Sequence, residues 1–249
     1  MLEIKHIYKT FNEGTVNESK LFEDFNLKVN KGDFVSIIGN NGSGKTSLIN
    51  IICGSMEVDQ GQVLIEGLDI TKKKDFIRYG KIGRVYQDPS MGTCTEMTIL
   101  ENISLADNKG KIYNLSRGTS RNRIDYYKES LKQLNLDLEN KLNTKVGELS
   151  GGQRQAMALL MATMSPIEFL ILDEHTAALD PKTADNIMEL TNKIIQKKNN
   201  ITTIMVTHNI RYALDYGNRI IMMSQGEIAL DKSDDDKNNL TIQRVLSIY

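Results

Sequence analysis

The sequence predicts an α/β fold built round a phosphate-binding loop, with a helical segment inserted part-way along the chain. Three observations carry that expectation. Gly39-Asn40-Asn41-Gly42-Ser43-Gly44-Lys45-Thr46 spells G-x-x-x-x-G-K-[ST] between an apolar run, Phe34 to Ile38, and a helical run, Ser47 to Cys53, that Gly54 stops. Two further strand-like runs, Phe169 to Leu172 and Ile201 to Val206, lead into Asp173-Glu174 and Thr207-His208, polar groups at the carboxyl ends of buried strands. From Asp88 to Pro166 strand alternation gives way to helical spacing.

Composition narrows the function classes. With 249 residues the chain has room for a sizeable core, as one large α/β domain or two small ones. A net charge of −1 offers no electrostatic reason for a nucleic-acid partner, and none is expected. No apolar run approaches the roughly 18 residues that span a bilayer. Met1 to Ile7 alternates like a strand and lacks the features of a secretory signal, so a soluble intracellular protein is expected. Cys53 and Cys94 stand far apart without metal-ligand company, which suggests reduced thiols.

Taken in order, Leu2 to Ile7 and Leu21 to Val29 read as strands, with Asn30 to Asp33 turning into the phosphate-loop strand. Between the first two lies a polar loop, Tyr8 to Gly14. Its Phe11 is either a face for stacking an adenine ring or a core aromatic at a strand end. In the phosphate loop, Gly39, Gly42 and Gly44 let backbone N–H groups turn inward round phosphate oxygens. The helix that follows aims its positive end at the same anion. Lys45 is expected to reach the β- and γ-phosphates, and the Thr46 hydroxyl to ligate Mg²⁺. Gln62 to Glu66 and Ile82 to Tyr86 are further strands, the second ending at Gln87-Asp88-Pro89.

Thr98 to Ile103 begins the helical segment, and Leu131, Leu134, Leu138 and Leu142 continue it at helical spacing. Arg117, Arg121, Arg123 and Lys128, with Tyr126 and Tyr127, read as a solvated helix face rather than a nucleic-acid or membrane surface. Ser150 and Gln153 have capping-box spacing in Leu149-Ser150-Gly151-Gly152-Gln153, so they open a helix through Ala156, Leu159 and Leu160. Gly151 and Gly152 weaken a helix and make sense where something approaches the bare backbone, which marks this N-terminus as a second anion site. Asp173 suits Mg²⁺ and Glu174 suits polarising an attacking water. Asp180 caps the next helix with Pro181 at its first position, and Ile187, Leu190 and Ile194 mark its buried face. His208 ends a strand on the edge shared with Lys45 and Asp173, where it can donate to a γ-phosphate oxygen. A short helix to Gly217, a hairpin round Gln225-Gly226, a solvated acidic turn at Asp234 to Asp236 and a helix from Thr241 to Tyr249 complete the chain.

GNNGSGKT, Gln87, LSGGQ, FLILDE, ALD and TH occur in one order, and in that order the chain resembles a nucleotide-binding subunit of the ATP-binding-cassette (ABC) family over essentially its whole length. The resemblance implies a P-loop NTPase core with an antiparallel β subdomain and an inserted α-helical subdomain. That is one domain over 1–249, with its core at 1–87 and 165–249 and its signature subdomain at 88–164. It implies ATP and Mg²⁺ as cofactors, with ATP held by Phe11 and by the loop from Gly39 through Ser47. Gln87 corresponds to the glutamine that senses Mg²⁺ and couples to a membrane partner, Glu174 to the general base and His208 to the switch histidine. Asp180 matches the dimer-spanning loop, and Leu149, Ser150, Gly151, Gly152 and Gln153 the signature that closes over ATP held by a second copy. Two ATP molecules would lie between head-to-tail subunits on the cytoplasmic face of the membrane, driving separate permease subunits docked near Gln87 to Glu101. The stretch from Asp173 to Asp180 and its counterpart at Gln87 to Thr93 resemble a bacterial subgroup of uptake systems with lipoprotein receptors, for which aromatic amino acids are among the cargoes. The family also contains soluble ATPases of the iron–sulfur assembly type, and an ATP-dependent regulatory scaffold is a third class; intact Glu174 and His208 speak against a scaffold. His175 departs from the family's usual proline and suggests either a pH-tuning or a packing role.

Overall fold

A computed structural model of the chain describes residues 1–109, 118–119, 121–198 and 201–248. The chain opens with Leu2–Phe11 (β1), Ser19–Val29 (β2), Phe34–Gly39 (β3) and Lys45–Cys53 (α1), then Gln60–Ile65 (β4), Leu68–Asp69 (β5), Asp75–Arg78 (α2) and Ile82–Val85 (β6). Ile99–Asp107 (α3), Ile124–Lys132 (α4) and Gly151–Met164 (α5) follow. Phe169–Asp173 (β7), Pro181–Lys197 (α6), Thr202–Val206 (β8) and Ile210–Asp215 (α7) come next, and Arg219–Ser224 (β9), Glu227–Ser233 (β10), Asp234–Asn238 (α8) and Ile242–Leu246 (α9) close the chain.

The strands form two sheets. An antiparallel one runs in the order β2-β1-β4-β5, and a six-stranded one in the order β10-β9-β3-β8-β7-β6. Within the larger sheet β9, β3, β8, β7 and β6 are mutually parallel, and only β10 runs against them. A parallel strand buried on both faces reads as a continuous apolar run because alternate residues serve different cores. On β7, Phe169 and Ile171 face the cluster with α1 and the antiparallel sheet, whereas Leu170 and Leu172 face α5 and α6. On β8, Ile204 and Val206 take the first side and Met205 the second. A third cluster, with Ile99, Ile103, Tyr127, Leu131 and Met157, belongs to the helical segment.

Local signals set most element ends. Thr98 and Glu101 form a capping box on α3, Ser150 and Gln153 one on α5, and Asp180 caps α6 with Pro181 at its start. Gly54, at φ 85°, ends α1.

Several expectations are corrected. β1 continues through Tyr8 to Phe11, because its partner β2 starts early enough to pair Phe11 with Ser19. Leu134, Leu138 and Leu142 do not continue a helix: α4 stops at Lys132, and Asn135 and Asp137 sit at φ 54° and 57°. Those leucines still point inward, since Leu134 and Leu138 are buried and Leu142 packs against the same cluster. Asp234 to Asp236 are exposed, as a solvated turn requires, but they form the first turn of α8, where acidic side chains suit the helix dipole. Tyr127 is in the core rather than on a solvated face, whereas Arg123 stays partly exposed while paired with Asp107 at 2.6 Å; the final helix ends at Leu246, and Arg117 and Tyr249 lie outside the described residues.

Candidate functional site

Parallel register brings the motifs together. Ile37 pairs with Val206, Asp173 with Val206 and Val85 with Leu172, so β3, β8, β7 and β6 end on one edge of the sheet. β3 runs into the phosphate loop there, β7 into Glu174, and β8 into Thr207-His208.

The loop's shape depends on close backbone approaches. A Cβ on Gly39 would lie 2.2 Å from the Met223 carbonyl oxygen, and Gly44, at φ 102°, has the Phe22 ring 3.0 Å from where its Cβ would stand. Gly44 caps α1 without offering a side chain, which leaves the helix's first N–H groups without an internal acceptor. Asn40, Asn41, Gly42 and Thr46 are exposed on the loop, while Ser43 is buried and Ser47 half-buried. Lys45 is buried and curls over the loop, its Nζ donating to the carbonyls of Gly39 at 2.7 Å and Asn40 at 2.8 Å. Burial lowers the Lys45 pKa, and the Glu174 carboxylate opposes that shift. The nearby positive helix end and an ammonium already held by neutral carbonyls suit a polyanion.

Asp173 and Glu174 diverge at the end of β7. Glu174 adopts φ 48°, a left-handed conformation that costs a non-glycine residue energy, and its N–H donates to the Val206 carbonyl at 2.9 Å. That turn presents the carboxylate to His208, whose Nε2 lies 2.6 Å from Glu174 Oε1. The pair opens onto a cleft of about 640 Å³ lined also by Ala177, Pro181, Asn209 and Tyr212. Asp173 instead meets Arg84, whose Nη2 donates to Oδ2 at 2.8 Å.

Other expected residues are held elsewhere. Gln87 is exposed two residues past β6 and shares a cleft with Gly151, Arg154, Ala178 and Leu179, which groups it with the start of α5. Ser150 Oγ accepts from the Gln153 N–H at 3.3 Å, and Gln153 Oε1 accepts from the Ser150 N–H at 3.1 Å. Leu149 is buried in the helical cluster. A Cβ on Gly152 would stand 2.5 Å from Thr183 Cγ2, so part of the bare backbone serves packing against α6 rather than an outside visitor. Asp180 Oδ1 accepts from the Thr183 N–H at 3.1 Å. Phe11 is half-buried at the end of β1, with Lys9 Nζ 5.9 Å from its ring centroid. Glu101, expected near a permease contact, spends its carboxylate on the Thr98 cap at 2.7 Å.

His175 is wholly inside. Its Nε2 lies 3.2 Å from Thr191 Oγ1, and burial pushes its pKa down to about 4. Of the two roles open to it, packing is the one its surroundings describe.

Sequence reasoning passed over Arg84 and Asn50. A signal existed: an arginine in the otherwise apolar strand Ile82-Gly83-Arg84-Val85 demands an anionic partner. Which anion it meets, 89 residues away, follows only from the β6–β7 register.

Among the described residues no three His, Cys, Asp or Glu side chains gather as a metal cage. Mg²⁺ at a phosphate site needs less, because one carboxylate or hydroxyl joins phosphate oxygens and waters in its shell. The exposed Thr46 hydroxyl beside the loop and the partly exposed Asp173 carboxylate fit that hard-oxygen set.

Comparison with known proteins gives a consistent picture. A family model described as ABC transporter matches residues 22–177. A tyrosine transport ATP-binding protein of Clostridioides difficile (strain R20291) is 46% identical over 249 residues, covering 100% of this chain and 98% of the relative. The phosphonates import ATP-binding protein PhnC of Lactobacillus delbrueckii subsp. bulgaricus is 32% identical, covering 95% of this chain and 91% of its own. Among solved structures, the dimeric post-hydrolysis state of the ATP-binding cassette MJ0796 bound to ADP and Pi superposes with a TM-score of 0.79 at 32% identity, over 94% of this chain and 98% of that one. The ADP conformation of the cassette MJ1267 superposes with a TM-score of 0.80 at 30% identity, over 100% and 98%.

Proposed function

The chain belongs to the ABC transporter family, and on that premise we propose that it powers import of an aromatic amino acid, with tyrosine as the leading cargo. It is an ATPase subunit of a membrane transport system, binding ATP at a dimer interface and driving separate permease subunits. The observation that carries the site assignment is the shared carboxyl edge of β3, β7 and β8, which puts Lys45, Asp173, Glu174 and His208 beside one anion-ready loop.

In this reading the loop from Gly39 to Ser47 wraps the phosphates with its N–H groups and Lys45 turns from its carbonyls to the β- and γ-oxygens. Phe11 stacks on the adenine ring. Glu174 takes a proton from the water that attacks the γ-phosphorus as the bond to ADP breaks, and His208 leaves Glu174 to donate to a γ-oxygen. Thr46 and Asp173 would hold Mg²⁺, with Gln87 as its sensor, and the ion when bound would neutralise phosphate charge. Leu149 to Gln153 of a second copy close over the same nucleotide, with Asp180 at the join. The phosphate loop is anchored on Phe22, Met223 and Gly226, and the signature on Leu136, the helical cluster and, at Gly152, Thr183 of α6. The same reading assigns 1–87 and 165–249 to the catalytic core and 88–164 to the signature subdomain.

No described helix is long and apolar enough to cross a membrane, which fits separate permease subunits with this chain at their cytoplasmic face. A receptor lipoprotein outside the cell completes the importer. The cargo rests on the 46% identity to the tyrosine transport relative. The test is uptake by proteoliposomes containing the chain and its permease, with ATP inside and receptor outside. Tyrosine accumulation that competing phenylalanine or tryptophan reduces is expected. Transport of a phosphonate or polyamine without tyrosine uptake would overturn the cargo.

A further inference from the structure

Arg84 lies on core strand β6 and faces the α1 side of the sheet. Its side chain is 7% exposed, and that of Asp173 14%. Nη2 donates to Asp173 Oδ2 at 2.8 Å, Nη1 to Asn50 Oδ1 on α1 at 3.0 Å, and the guanidinium lies over the Tyr86 ring at 4.6 Å. Nε is buried without a hydrogen-bond partner. An arrangement this costly does little for stability, because a well-packed apolar pair often serves a fold equally well. Its location is informative. The guanidinium is permanently charged and takes one oxygen of the carboxylate at the carboxyl end of β7, next to Glu174.

We propose that Arg84 is a resident cation that shares Asp173 with Mg²⁺, so that the carboxylate captures the metal only when nucleotide phosphates bring it. The proposal rests on the reading of Asp173 as a Mg²⁺ ligand. Two effects of Arg84 oppose each other. The hydrogen bond that Nη2 donates orients the carboxylate, which by itself would favour the metal. The guanidinium charge repels a divalent ion bound to the same carboxylate, and at the effective dielectric of a protein interior that repulsion is the larger effect a few ångströms away. Nucleotide phosphates carry enough negative charge to offset it. Free Mg²⁺ has no such help, so the nucleotide-free site is kept from filling with metal alone, and metal leaves readily once the phosphates have gone. Arg84 is thus a positioning and charge-setting residue, in contact with the ligand and not with the reacting atoms.

The experiment measures metal binding apart from turnover, on the full chain. Thermal unfolding is followed in increasing MgCl₂ without nucleotide, and binding of a fluorescent ATP analogue is titrated with MgCl₂ and, separately, in EDTA. Arg84→Met and Arg84→Gln remove the charge, and the glutamine keeps a hydrogen-bonding group if the methionine variant folds poorly. Arg84→Lys keeps the charge and loses the fork. Both neutral variants should need about 10-fold less Mg²⁺ for half-maximal analogue binding, and should gain thermal stability from MgCl₂ alone where wild type does not. Arg84→Lys should behave as wild type, and binding in EDTA should be unchanged throughout. Neutral variants that need the same or more Mg²⁺ would overturn the proposal, as would a lysine variant that shifts with them. Asp173→Asn separates this failure from that of the underlying reading: a wild-type Mg²⁺ response there means that Asp173 is not the ligand at all.

Discussion

Two helices begin after glycine-containing loops, and they begin differently. α1 starts at Gly44, which offers no side chain, so its leading N–H groups have no local acceptor. α5 starts at Ser150, whose capping box with Gln153 already satisfies two backbone N–H groups. The first terminus also has Lys45 folded over it and the carboxyl ends of three parallel strands beside it. The second is exposed, with a hydroxyl committed to its own helix. An uncapped terminus with an attached ammonium can hold a polyanion by itself. A capped one contributes only what remains, and so is suited to completing a site that another body has begun.

The largest effect should come from the residue that serves the first terminus chemically. Glu174→Gln should retain ATP binding and lower steady-state hydrolysis by about 10²–10⁴-fold. Hydrolysis within a factor of about two of wild type would remove Glu174 as the base and leave the uncapped terminus as a binding device only.

Next in size is the contrast between the termini. Lys45→Ala should weaken ATP binding by a monomer about 10- to 100-fold, the worth of a hydrogen bond to a charged group. Ser150→Arg should leave monomer binding nearly intact and abolish ATP-driven pairing. In a Glu174→Gln background, light scattering at up to about 100 μM protein should show the 28.1 kDa chain doubling in mass with ATP. Dimers that persist unchanged with Ser150→Arg would break the comparison, since the second terminus would then play no part in closure.

Behind Glu174, burial makes a pH-dependent contribution. The His175 pKa is pushed from 6.5 to about 4, so the unfolded chain takes up the proton first as pH falls. The stability that neutral His175 represents is complete above about pH 6.5 and is lost progressively as pH drops toward 4. Urea midpoints of wild type should fall over that window, and those of His175→Gln should fall less. Parallel curves would assign the acid sensitivity to other groups. A smaller effect still tests the cap alone: Ser150→Ala should cost about 1 kcal/mol of stability, read by urea unfolding, with ATP binding by the monomer untouched.

The sequence by itself determined the local pieces. The phosphate loop, both capping boxes, the Asp180-Pro181 helix start and the apolar runs ending at Asp173 and near His208 are all written within a few neighbouring residues, where φ/ψ preference, hydrogen-bonding side chains and alternation act directly. What lay beyond reach depended on distant partners. β1 extends to Phe11 only because β2 is there to pair with it, and the leucines after Lys132 keep helical spacing although Asn135 and Asp137 turn the chain out of the helix. Arg84 finds Asp173, His175 goes inside against Thr191, and Gly152 meets Thr183 because sheet register and helix packing bring them there. Long-range electrostatics and burial belong to the assembled fold, since a charge or an imidazole has no defined environment until its neighbours from elsewhere in the chain surround it.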